Sequence, residues 1–216
     1  MRFHRSHLPI YWLDKKLGGD LYKHLRTRIK ERKKRGSKKD NRGQIPNKVS
    51  IDDRPRIVDA KKRFGDYEID LVIGKNHTRA LLTINDRLTG LVKIAYLNSK
   101  NADEVKQKTI EQLQAEKGYI YTITSDNGKE FARHLEIAQA LEIDYFFAHP
   151  YSSWERGANE NLNGLIREFF PKKSDFDLIT KDEISQVVEN LNNRPRKRFG
   201  FATPNEVYLQ TIINNR

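Results

Sequence analysis

From Asp66 to Phe147 the hydrophobic pattern changes period several times, and each change marks an element. "DYEIDLVIG" alternates. Tyr67, Ile69, Leu71 and Ile73 share one face, and Asp66, Glu68, Asp70 and Val72 share the other. That period of two predicts a strand. "RALLTINDR" and "GLVKIAYLN" follow after short breaks, so an antiparallel meander is expected. Residues 101–118 read as a helix with Asn101 as N-cap and Gly118 at its stop. "YIYTITS" is a strand, "KEFARHLEIAQALE" a helix and "IDYFFA" a short apolar strand. In "SSWERGANENLNGLIREFFP", Ser152 and Glu155 fit a capping box. Trp154, Ala158, Leu162, Leu165 and Phe169 then form an apolar stripe. A last helix covers "TKDEISQVVENLNNR". The order β-β-β-α-β-α-β-α-α predicts an α/β domain on a mixed five-stranded sheet flanked by helices. Upstream, a short helix around "DKKLGGDLYKHLRTRI" is interrupted by Gly18-Gly19, and residues 33–56 read as a linker. The expected division is an arm over 1–55 and a core over 56–216.

Charge sharpens that division. The net charge is +12, and residues 1–50 hold 16 Lys/Arg against 4 Asp/Glu, which is the whole surplus. Its densest part is "RTRIKERKKRGSKK". A basic run beside a neutral, well-patterned domain is a polyanion-binding signature. Arg32, Lys33, Lys34, Arg35, Lys38 and Lys39 are therefore candidate DNA contacts, against the plainer reading of a solvated linker. The chain has no Cys, which excludes disulfides and thiolate metal sites. No run approaches the roughly 20 apolar residues of a membrane span. "MRFHRSHLPIYWL" has no sustained apolar stretch, so no signal peptide is expected and a cytoplasmic location is.

Three carboxylates stand at places where a fold can hold them still. Asp70 lies in the first strand, Asp126 at the end of the fourth, and Glu160 on the helix after the fifth, opposite Leu162. Brought together they would repel, and a hard divalent cation resolves such repulsion. Oxygen-only ligands suit Mg²⁺ or Mn²⁺, and two such ions can clamp a phosphate. Taken singly, each residue has a plainer reading: Asp126 as a helix cap, Glu160 as surface charge, Asp70 on a solvated strand face. Arg167 shares the Glu160 face, so it is expected to meet substrate and to add little stability. Asp86 precedes a turn and reads as structural. Glu68 shares the Asp70 face. The roles of Glu68, His149, Asn159 and Asn163 stay open, and "RPRKR" (194–198) reads as a solvated loop that also meets phosphate.

The quoted stretches carry a resemblance. "GDYEIDLVIGK", "TINDRLTG", "TITSDNGKEFARH", "AHPYSSWERGANENLNGLIREFFP" and "LNNRPRKRFGFATPNEVY" resemble the IS-thirty family of bacterial insertion-sequence transposases, over about residues 50–210. The resemblance implies a ribonuclease H-like, integrase-type core. It maps the family's catalytic and metal-binding triad onto Asp70, Asp126 and Glu160, and its basic residue onto Arg167. It implies Mg²⁺- or Mn²⁺-dependent cleavage and strand transfer of double-stranded DNA by a homo-oligomer. Family members carry an upstream helix-turn-helix region. Here Met1 comes after most of it, so a core without its recognition module is expected. The alternative is a catalytically silent DNA-binding remnant that inhibits the full-length enzyme.

Overall fold

One mixed sheet packed between two apolar layers organises residues 42–216. The computed structural model describes residues 8–24, 45–150 and 152–214. The chain divides into two compact units, residues 1–41 and 42–216. In the first, α1 (Leu8–Lys16) leads to a short 3₁₀ turn, Leu21–His24. Asp14 joins them by accepting from the Leu21 N–H at 2.9 Å. Arg32, Lys33, Lys34, Arg35, Lys38 and Lys39 lie outside the described residues.

In the second unit the strands are β1 (Val49–Ser50), β2 (Asp66–Ile73), β3 (Ala80–Asp86), β4 (Val92–Leu97), β5 (Thr122–Ser125) and β6 (Asp144–Phe147). Their order in the sheet is β1-β6-β5-β2-β3-β4. The meander β2-β3-β4 is antiparallel, while β5, β6 and β1 run parallel to their neighbours. The sheet therefore has six strands where the pattern predicts five. The added strand is two residues long and lies in a stretch whose composition reads as linker. That stretch belongs to the fold: Ile45 is buried in the core, Arg54 is buried, and α2 (Arg56–Ala60) follows.

The helices are α3 (Ala102–Leu113), α4 (His134–Leu141), α5 (Gly157–Phe169), α6 (Lys181–Asn192) and α7 (Pro204–Asn214). α3 starts where Asn101 accepts from the N–H groups of Asp103 and Glu104, at 2.8 and 2.9 Å. On one side of the sheet Tyr67, Ile69 and Leu71 pack with Val105 and Leu113 of α3 and Ile137 and Leu141 of α4. On the other side Val72, Leu81 and Ile94 pack with Leu162, Leu165 and Ile166 of α5 and Ile184, Val187 and Leu191 of α6. The Asn192 side chain bonds both the N–H and the C=O of Val92, at 2.8 and 2.9 Å, tying α6 to β4.

α5 starts later than its sequence suggests. Ser152 makes no side-chain cap bond, Ser153–Arg156 is a 3₁₀ turn, and the α-helix begins at Gly157. Glu155 is taken up by His149 and does not complete a capping box. Trp154 thus falls outside the helical period and is 71% exposed, and Phe169 is 41% exposed. The buried stripe is Asn159, Leu162, Leu165 and Ile166.

Asp86 is structural, as its place before a turn suggests. Its carboxylate accepts from Gly65 N–H at 3.0 Å, and from the N–H and hydroxyl of Thr89, both at 2.7 Å. Burial raises its pKa to about 6 against the pull of those donors. Asp86→Ala would leave two buried N–H groups unmet. At about 1–3 kcal/mol each, less whatever water relieves, it should cost about 2–4 kcal/mol of unfolding free energy in urea. A cost below about 1 kcal/mol would show that this carboxylate does not hold the β3–β4 turn.

Candidate active site

Asp70 sits in the middle of β2, opposite Thr83 of β3, whose hydroxyl donates to the Asp70 carbonyl at 3.0 Å. The strand period turns Asp70 toward the side that α5 covers. Its carboxylate accepts from the Leu71 N–H at 2.9 Å and from the Asn163 amide at 2.8 Å. Asp126 follows β5 directly, and β5 lies parallel to β2. It accepts from Gly128 N–H at 2.9 Å, an Asx-type turn rather than a helix cap. Asn127 clamps this turn. It donates to the Ala148 carbonyl after β6 and accepts from Lys48 at 2.8 Å.

Arg156 joins the two carboxylates. One guanidinium nitrogen lies 3.6 Å from Asp70 Oδ2 and the other 3.5 Å from Asp126 Oδ2. The former also donates to the Ile69 carbonyl at 3.4 Å. Burial raises the Asp70 pKa; the Arg156 charge lowers it and the nearby Asp126 charge raises it. Glu130 belongs to the same field. Burial raises its pKa first, with Asp126 and Asp70 adding to the rise. Neither Arg156 nor Glu130 stands out in the sequence. The signals were the Arg at the entry to the carboxylate-bearing helix and the acid four residues after Asp126.

Glu160 lies in the first turn of α5, one turn beyond Arg156, and is exposed. The structure thus brings Asp70 and Asp126 together and leaves Glu160 on the adjoining helix face. Among the described residues, no three His, Cys, Asp or Glu side chains form a group that could hold a metal ion. Asn159 donates to the Ile69 carbonyl at 3.3 Å. The remaining amide oxygens of Asn159 and Asn163 are buried without partners. Glu68 pairs with Arg87 in the interior and is not part of the Asp70 pair.

Arg167 is built into the fold. It donates to the Ile73 carbonyl at 2.6 Å, tying the end of α5 to the end of β2, and its guanidinium lies 6.0 Å from the centre of the Phe176 ring. The "RPRKR" loop is also anchored: Arg194 pairs with Glu168 at 3.0 Å, and Arg196 donates to the Leu191 carbonyl at 2.9 Å. His149 bridges Glu155 at 2.8 Å and Asp52 at 2.9 Å, which braces the turn that delivers Arg156.

A mixed sheet with two carboxylates meeting at neighbouring strand positions defines a class, the ribonuclease H-like fold of integrase-type cores. Two solved structures share the fold. The catalytic core domain of BIV integrase matches with TM-score 0.53 and 21% identity, over 70% of this chain and 97% of that one. A chain of the simian T-cell lymphotropic virus intasome in complex with PP2A regulatory subunit B56 gamma matches with TM-score 0.56 and 19% identity, over 67% and 54%. No family model matches the chain. Among curated relatives, the transposase for IS4351 of Bacteroides fragilis is 54% identical over 213 residues, which are 97% of this chain and 65% of that protein. The transposase for IS1086 of Cupriavidus metallidurans is 33% identical, covering 88% and 56%. The transposase InsI for IS30A of Escherichia coli is 37% identical, covering 81% and 46%. Over most of its length the chain is similar to insertion-sequence transposases, that of IS30A among them. It spans about half to two thirds of the length of these relatives. Among the described residues, no helix is long and apolar enough to cross a membrane.

Two predictions follow from this geometry. Arg167→Ala removes a charged donor from a backbone carbonyl and should lower unfolding free energy by about 1–3 kcal/mol. That reverses the expectation drawn from an outward helix face, and a loss under about 0.5 kcal/mol in urea would restore it. The His149 pKa is raised above 6.5, first by Glu155 and then by Asp52. A raised His pKa gives stability that is present below the unfolded value and is lost as pH rises through the folded one. In an NMR titration the His149 ring should titrate above its ordinary value and move back toward it in Glu155→Gln. An unchanged ring titration would mean that the bridge does not form in solution.

Proposed function

We propose that this chain is the catalytic core of a metal-dependent enzyme that cleaves DNA strands and joins a 3′-hydroxyl to target DNA. The observation that carries the reading is the convergence of Asp70 and Asp126 on one guanidinium, in a chain similar to insertion-sequence transposases. The donors are all oxygens, which suits Mg²⁺ or Mn²⁺. Asp70 and Asp126 would hold the cation, with Glu160 supplied from α5 as the third carboxylate, and the full set serving two ions. Bound there, the metal would activate the attacking oxygen and stabilise the leaving one. The chain's own residues supply position. Asn163 and the Leu71 N–H fix the Asp70 carboxylate, and Gly128 N–H fixes that of Asp126. Arg156 offsets their repulsion. No covalent enzyme intermediate is required. The partners are double-stranded DNA, as element ends and target, and further copies of the chain on that DNA.

A second reading is a binding protein that occupies DNA or pairs with a longer transposase. The observation that favours it is Glu160, which stands on its own helix face rather than beside the pair.

The two are separated by nicking of a labelled duplex in Mg²⁺ or Mn²⁺, with chelator as control. Asp70→Asn and Asp126→Asn should each abolish nicking and joining while duplex binding stays within about twofold. Activity equal to the parent in either variant would remove the catalytic reading. A parent that binds but never nicks would favour the second.

A further inference from the structure

A cleft of about 350 Å³ opens beside the carboxylate pair, between the start of α5 and the 194–198 loop. Its rim carries Lys61, Arg196, Lys197 and Arg198, and no acidic side chain lines it. The acids that face these cations are committed elsewhere. Glu68 pairs with Arg87, Asp59 with Arg54, and Asp86 closes the Thr89 turn. Partial burial and the charge of Arg87 lower the Lys61 pKa. The rim therefore carries four cations and no carboxylate of its own.

The floor is mixed. Val92, Leu162 and Leu165 give it an apolar base. Asn85 also lines it and is only 5% exposed. Its side-chain amide can both donate to and accept from a polar ligand atom. Gly157 and Ala158 form another wall, where the positive end of the α5 dipole adds to the field. An anion with an apolar flank suits this cleft: oxygens on the rim, a sugar face on the floor.

The cleft is also next to the candidate active site. Asn85 lies opposite Glu68, two residues along β2 from Asp70, or about 7 Å at strand spacing. Arg156, which touches both carboxylates, is followed directly by the lining residues Gly157 and Ala158. We infer that this cleft seats a sugar-phosphate segment of the DNA strand beside the reacting phosphodiester, with Lys61 and Lys197 on the phosphate and Asn85 as its buried polar contact. The inference rests on the strand-transfer reading.

The test uses the full chain and a duplex of about 30 base pairs without metal. Lys61 and Lys197 are both exposed, so Lys61→Gln with Lys197→Gln should leave melting unchanged. This double variant should bind about tenfold more weakly and lower the slope of log K against log salt by about one, the release expected for one phosphate. Asn85→Asp puts a carboxylate of the same shape in the cleft and should weaken binding similarly. Parental affinity and slope in the folded double variant would overturn the assignment. So would a melting rise in inorganic phosphate that the double variant abolishes without any change in duplex binding, which would mark a small-anion site. Nicking in Mg²⁺, measured separately on the parent, keeps the two readings apart. Parental nicking beside an unaffected double variant sinks only the cleft, whereas a cleft effect without nicking sinks only strand transfer.

Discussion

The structure depends on burying a strand face that carries three carboxylates. The alternation of β2 puts Asp66, Glu68 and Asp70 on one side, and α5 and α6 cover that side of the sheet. A carboxylate taken out of water must be met by charge or hydrogen bonds, because desolvation otherwise outweighs the packing gained. Each of the three is met differently. Asp66 receives two bonds from Arg63 and one from Thr122. Glu68 takes Arg87. Asp70 takes an amide, a backbone N–H and a more distant, shared guanidinium. The first two pairings are short. Asp70 has the longest guanidinium contact, at 3.6 Å, and is the least buried of the three.

This gradient along a single strand separates the structural acids from the one proposed to be functional. Asp66 and Glu68 are each about 1% exposed and sit against cations from nearby segments. Asp70 is less covered, and Asp126 approaches from the neighbouring parallel strand. Parallel pairing of β2 and β5 brings the strand end that carries Asp126 level with the middle of the longer β2. The helix entry then supplies Arg156 from above. The proposed chemistry therefore draws on two strands and one helix, whose relative positions are fixed by the sheet and by the two apolar layers.

Much of this was legible in the sequence, because long alternating runs and polar caps are local signals. β2, β3 and β4, the Asn101 cap and the structural role of Asp86 all follow from neighbours within a few residues. The features that were not legible depend on distant partners. β1 is two residues whose pairing is with β6, almost a hundred positions away. The start of α5 moved because Glu155 bonds His149 rather than a cap, and that left Trp154 in solvent. Arg167 looked outward on a helical wheel, yet its length lets it reach back to a carbonyl at the end of β2. Arg156 is one basic residue among forty-one, and only the fold places it between two acids.

The Asn192 contact with Val92 has a further meaning. β4 is the last strand on its side of the sheet, and β3 occupies its inner edge. An outer edge presents unpaired N–H and C=O groups that can recruit a strand from another molecule. The Asn192 amide donates and accepts there as a peptide unit would, at the first residue of the strand. On the opposite side, β1 offers two residues of ladder. The sheet thus ends in a side-chain plug at one margin and a stub at the other. Both discourage strand-to-strand aggregation.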